Sequence, residues 1–155
     1  MFDPTTLVGF HTWLSLIALA AGVVVVADLL GRRRRNAWTV VFLVTAIATS
    51  VTGFLFPYTG FLPSHGVGVL SLIALAAAVA ALYAFGLAGA WRRIYVVGIV
   101  VAEYFLAFVA IAQAFLKVPS LNALAPTQSE PPFAIAQGVL LVVFVVLGAM
   151  AVRRA

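Results

Sequence analysis

The sequence predicts an all-α fold, a polytopic membrane bundle of five transmembrane helices in one integral domain, residues 1–155, and three observations carry that expectation. Five apolar stretches reach bilayer-spanning length, arginine is confined to short clusters between them, and other charge is almost absent. A hydrocarbon core about 30 Å thick needs roughly 20 apolar residues of helix. The stretches run approximately from Leu7 to Leu30, Ala37 to Phe56, Gly66 to Ala90, Ile94 to Leu116 and Phe133 to Val152. If all five cross, Arg32 to Arg35, Arg92 and Arg93, and Arg153 and Arg154 share one side, and the only lysine, Lys117, takes the other. The positive-inside rule then puts the N-terminus outside and the C-terminus in the cytoplasm. Removing any one span would scatter the arginines over both faces, so charge and hydropathy support each other.

Each element has its own justification. The first stretch begins with Asp3, lacks a basic leader and carries its basic cluster at the far end, so it reads as a retained span rather than a secretory signal. On it His11, Ser15, Ala18 and Gly22 draw one stripe of polar and small side chains, which suits close helix packing. The second span carries Thr45, Thr49 and Thr52 on one face, with Ser50 nearby, and ends in Gly53-Phe54-Leu55-Phe56-Pro57. The third opens with Pro63-Ser64-His65-Gly66-Val67-Gly68, where Ser64 suits an N-cap and the glycines leave room for a helix or a ligand. The fourth repeats the small-residue stripe with Glu103, Ala107, Ala110 and Ala114, which turns Glu103 toward protein. The fifth brings Gln137 into the outer leaflet. Trp13, Trp38, Trp91, Tyr58 and Tyr95 stand near the expected interfaces. The longest connection, Lys117 to Pro132, is rich in proline and polar residues and is expected to cap the outer end.

Composition excludes several chemistries. Apolar residues make up 65 % and charged residues 8 %, too little polar surface for a water-soluble domain. The net charge of +5 flanks the spans instead of forming a basic face with aromatic platforms, so no nucleic acid partner is expected, and the bilayer with its anionic headgroups is. Cysteine is absent, which removes disulfides, thiolate metal sites and Cys-ligated iron–sulfur clusters.

Two kinds of residue remain for chemistry. His11 and His65 are the only histidines, and both fall at the outer edge. If their helices adjoin, they can ligate haem b or a metal ion, or hydrogen-bond a quinone headgroup, with Gly66 and Gly68 giving clearance and Tyr58 or Gln137 in support. The competing reading is a pair of interfacial histidines bonded to headgroups or loop carbonyls. Glu103 lies near mid-span, where an ionised carboxylate is costly and ion or proton sites are common. Its expected partners are hydroxyls: Tyr104, the threonines of the second span, or Ser71. The competing reading is a protonated carboxyl joining two helices. Asp28 precedes Arg32 by one turn and reads as an i,i+4 ion pair.

Thr52-Gly53-Phe54, Pro63-Ser64-His65-Gly66 and the run from Phe115 to Gln137, with Ala125-Pro126-Thr127-Gln128-Ser129-Glu130-Pro131-Pro132-Phe133, resemble a group of small, uncharacterised bacterial inner-membrane proteins. The resemblance covers most of the chain and implies a bacterial inner-membrane protein, but it brings no activity or cofactor. The histidine pair is more loosely similar to di-haem and quinone-reactive cytochromes. Three functions are therefore expected to compete: an outer-face redox or ligand site, a small proton-linked transporter or channel using Glu103, and an accessory subunit of a larger membrane complex or homo-oligomer.

Overall fold

The computed structural model describes residues 3–31, 36–57 and 63–155, and within them all regular structure is helical. Helix α1 spans Leu7–Leu30, α2 Ala37–Gly53, α3 Pro63–Val79, α4 Trp91–Lys117, α5 Pro119–Leu124 and α6 Pro131–Arg153. Four helices are long and apolar enough to cross a membrane: α1, α3 with its continuation to Ala84, α4 and α6. The fifth apolar helix, α2, has 17 residues, about 25 Å of rise, and falls short of that length.

Local chemistry sets the helix ends. Thr6 caps α1 by accepting the Gly9 amide at 3.1 Å, and Asn36 caps α2 by accepting the Thr39 amide at 3.0 Å. Asn36 also donates through Nδ2 to Asp28, so one side chain starts α2 and ties it to α1. Proline opens α5 and α6, where its fixed φ suits the first turn and its missing N–H costs nothing.

Several sequence expectations need correction at these ends. The second span stops at Gly53, not Phe56, because residues 54 and 55 close the helix with bonds from the Phe54 amide to Val51 and the Leu55 amide to Thr52. The third starts at Pro63, so Ser64 lies inside the helix and is not its N-cap. That span also ends well before Ala90. It widens into a π-helical turn over Ala80–Ala84, then breaks at Gly86, Leu87 and Gly89, all with positive φ. The connection expected as loop between Lys117 and Pro132 contains α5. Tyr95, expected at an interface, is fully buried, with Thr39 of α2 as its hydrogen-bonding partner. The proposed Asp28–Arg32 pair involves a residue outside the described ones; Asn36 is the described partner.

Successive helices run in alternating directions. His11 near the start of α1 meets Thr52 at the end of α2, Phe54 meets His65 at the start of α3, and Arg154 after α6 donates to the Leu30 carbonyl at the end of α1. Helices α1, α2, α3 and α4 close a ring in that order, with α6 against α4 and α1. α4 touches α1, α3, α5 and α6 and so organises the bundle. Arg92 and Arg154 gather at one end, bonded to Ala155 and Leu30 respectively.

The core depends on close backbone approach. A Cβ at Gly98 would stand 2.7 Å from the Ala74 carbonyl oxygen and 3.0 Å from Ala78 Cβ, so glycine lets α4 lie directly on α3. Gly138 of α6 has nothing within 4 Å of its Cβ direction. Gly98→Val is therefore expected to push α3 from α4 and destabilise the protein by about 1–3 kcal/mol, whereas Gly138→Ala leaves it unchanged. Thermal unfolding in detergent, followed by circular dichroism, checks the contrast.

Candidate functional site

The end of the bundle that holds both histidines is organised by the last turn of α2. Thr52 donates its single hydroxyl proton to the Ala48 carbonyl at 2.7 Å, the bond characteristic of threonine inside a helix. Its oxygen also lies 2.9 Å from His11 Nδ1. With that proton already committed, the neutral imidazole must donate through Nδ1–H, which leaves the lone pair on Nε2. Edge-to-face packing on Phe56, with centroids 5.2 Å apart, fixes the ring plane. His11 is half-buried, and its carbonyl accepts from Ser15 at 2.8 Å.

His65 approaches the same turn from α3. Its ring stacks on Phe54 at 5.8 Å with an interplanar angle of 27°. A Cβ at Gly68 would come within 3.1 Å of Phe54, so the clearance at this glycine is filled by that ring. Gly66 sits in the first turn of α3. The two histidines thus share one end of the bundle and one helix terminus. They engage different residues of it, His11 with Thr52 and Phe56, His65 with Phe54, and α1 and α3 stand across the ring from each other. Tyr58, expected to support the site, lies outside the described residues. Among the described residues no group of three or more His, Asp or Glu side chains is gathered in a form that holds a metal ion.

Gln137 engages α4: Nε2 donates to the Phe108 carbonyl at 3.0 Å, while its buried Oε1 has no partner among the described residues. The same device recurs in the connection above it. Gln128 donates to the Ala112 carbonyl at 2.6 Å and Asn122 to the Phe115 carbonyl at 3.2 Å. Three amides thereby fasten α5, the following loop and α6 to one helix. Their spacing was readable in the sequence, but their common target was not.

Glu130 holds the loop in shape. Its carboxylate accepts from Thr127 Oγ1 at 2.8 Å and from the amides of Thr127 and Ser129 at 3.2 and 3.1 Å. Desolvation pushes this carboxyl's pKa up, but the Thr127 hydroxyl and the backbone amides outweigh it and hold the pKa below the usual glutamate value.

Glu103 forms a separate centre at mid-helix, about 18 Å from one end of α4 and about 21 Å from the other. The side chain is 1 % exposed, and neither carboxyl oxygen has a hydrogen-bond partner among the described residues. None of the hydroxyls expected from the sequence bonds the carboxyl: Ser71 receives a bond from Ser50 at 3.3 Å, Thr45 and Thr52 bond their own helix, and Thr49 Oγ1 is buried without a partner among the described residues. The carboxyl instead fills a notch at Gly22 of α1, where any Cβ would collide with it and would stand 2.8 Å from the Phe42 ring. An unpaired carboxylate here would cost several kcal/mol.

These features define a class: an all-helical bundle with four helices of membrane-spanning length, a histidine-bearing end and a carboxyl buried in its core. The chain matches no known protein family, no curated protein and no solved structure.

Two expectations follow from the outer end. In ¹⁵N-edited spectra of histidine-labelled protein, His11 shows the neutral Nδ1–H tautomer, and Thr52→Val abolishes that preference. Because Glu130 titrates below its unfolded value, its contribution to loop order is complete above about pH 4.3 and is lost as pH falls through the lower folded value. Amide exchange at Thr127 and Ser129 should therefore accelerate in that acid window, and Glu130→Gln should accelerate it already at neutral pH.

Proposed function

We propose that this protein crosses a bacterial inner membrane five times, N-terminus outside, and uses its outer end to bind a flat aromatic ligand that carries a hydroxyl, of the quinol class. The observation that carries the reading is the pair of contacts at Thr52, 2.9 Å to His11 Nδ1 and 2.7 Å to the Ala48 carbonyl, from which the His11 tautomer follows. A half-buried imidazole anchored through Nδ1–H presents Nε2 as a hydrogen-bond acceptor, and a quinol hydroxyl is a donor. A quinone has only carbonyl acceptors to offer, so the site favours the reduced form. The surrounding rings of Phe54, Phe56 and His65 supply apolar and stacking surface. Nε2 accepts that hydroxyl proton in a hydrogen bond, with no change in the ligand's oxidation state.

The five-span topology is supported by the alternating helix directions and by the gathering of Arg92 and Arg154 at the end opposite His11. The short α2 crosses with help from the apolar turn at Phe54, Leu55 and Phe56. Haem is less favoured than quinol because bis-histidine ligation needs both rings to aim at one iron, whereas each ring has its own partner on the α2 turn. An accessory role within a larger complex or homo-oligomer finds support in α6, whose Ile135, Val139, Val142 and Val145 are each about three-fifths exposed.

Purified protein should bind a short-chain benzoquinol more tightly than the matching quinone, and His11→Ala should weaken quinol binding about tenfold, the equivalent of one hydrogen bond. Isothermal titration in detergent measures both. Equal affinity of wild type and variant would sink the quinol reading. A Soret band in the oxidised and dithionite-reduced spectra, lost in both His11→Ala and His65→Ala, would replace it with haem.

A further inference from the structure

The core of the bundle holds a polar group that the outer-end site does not use. Glu103 sits on α4, the helix that contacts nearly every other element, and its carboxyl occupies the notch that Gly22 leaves in α1. The walls of the notch are the α1 backbone and the Phe42 ring of α2. The titratable and charged groups on the packed elements stand apart. α1 carries His11 and Asp28, bonded to Thr52 and Asn36; α3 and its continuation carry His65 and Tyr83; α6 carries Arg153 and Arg154 at its far end. α5 and α2 present no ionisable side chain. On α4 itself Tyr95 is bonded to Thr39, Tyr104 packs among Phe105, Phe108 and Phe144, and Arg92, Arg93 and Lys117 lie at the helix ends. None of them bonds to the carboxyl.

Two properties of this arrangement act together. An uncharged carboxyl fits the notch, and α1 and α4 can then touch. A carboxylate needs hydrogen-bond donors, which the glycine backbone and the phenyl ring do not supply at that position. We propose that Glu103 is an intramembrane proton-binding site, and that release of its proton separates α1 from α4 around Gly22. The step is a simple acid dissociation: the O–H bond breaks, the proton leaves to water, and the carboxylate acquires a hydration shell where the α1 backbone had been. This inference rests on the membrane-spanning reading but not on the quinol site.

Full-length protein in liposomes, treated at neutral pH with a membrane-permeant carbodiimide, should gain one adduct on the peptide holding Glu103, since that reagent attacks protonated carboxyls in apolar surroundings. Labelling should fall as pH rises and be lost in Glu103→Gln. The chain has no cysteine. Cysteines placed at the exposed positions Val23 on α1 and Val97 on α4 therefore accept spin labels cleanly. The inter-label distance should lengthen from neutral to strongly alkaline pH in otherwise native protein and stay constant with Glu103→Gln. Circular dichroism confirms that each variant is folded, and Glu103→Asp serves as a second, titratable variant that should retain labelling. Folded protein without an adduct at Glu103, or a distance change that persists in Glu103→Gln, would overturn the proposal. Retention of benzoquinol binding by Glu103→Gln keeps its failure distinct from failure of the outer site.

Discussion

Close contact between helix backbones is the constraint on which this structure depends. Lipid tails are as apolar as leucine, so helices in a bilayer gain little from hiding apolar surface and must be held by packing and hydrogen bonds. α4 shows how that is done. Gly98 brings it onto α3, the Gly22 notch receives its Glu103 on α1, and Gly148 of α6 faces Val100, whose Cγ1 would lie 3.3 Å from an added Cβ. Side-chain amides from Asn122, Gln128 and Gln137 then bond carbonyls along its outer half. The ring of helices, the position of the outer turn and the enclosure of Glu103 all follow from α4 having close neighbours on several sides.

The histidine end and the glutamate centre solve opposite problems with polar groups. At the outer end a chain of three bonded groups, His11, Thr52 and the Ala48 carbonyl, assigns each proton and leaves one nitrogen with a lone pair. In the core the carboxyl has no such chain, and shape replaces hydrogen bonding: the group is accommodated because a side chain is missing opposite it. The first arrangement recognises a partner by direction. The second responds only to charge.

The helices themselves were legible in the sequence because apolar length is a strong signal, and α1 runs over the same Leu7–Leu30 stretch that hydropathy marks. The inward placing of Glu103 was legible too, from the small residues spaced along its face. Helix ends were not. Val79 to Phe85 is uniformly apolar or small, and nothing in it announces a π turn; the stop after Gly53 comes from backbone bonds that phenylalanine and leucine do not advertise. Nor does sequence order state which helices are neighbours. His11 and His65 both contact the end of α2, yet whether two such residues meet depends on how the ring closes, and here α2 and α4 separate their helices. The orphaned state of Glu103 was equally hidden, since Thr45 and Thr52 bond their own helix, Ser71 bonds Ser50, and Thr49 is left without a partner of its own among the described residues.

If α2 crosses the membrane as proposed, its shortness has a mechanical consequence for the surrounding lipid. Its 17 residues span about 25 Å, against a hydrocarbon thickness of about 30 Å, whereas the 27 residues of α4 exceed it. A bilayer closing around such a bundle meets unequal heights on its two sides. It must thin beside α2 while α4 tilts, each adjustment costing a fraction of a kcal/mol per ångström. The protein would then act as a wedge that rests most easily where the membrane is thin or already deformed, with its aromatic turn at Phe54 and Phe56 lying in the dimple that forms.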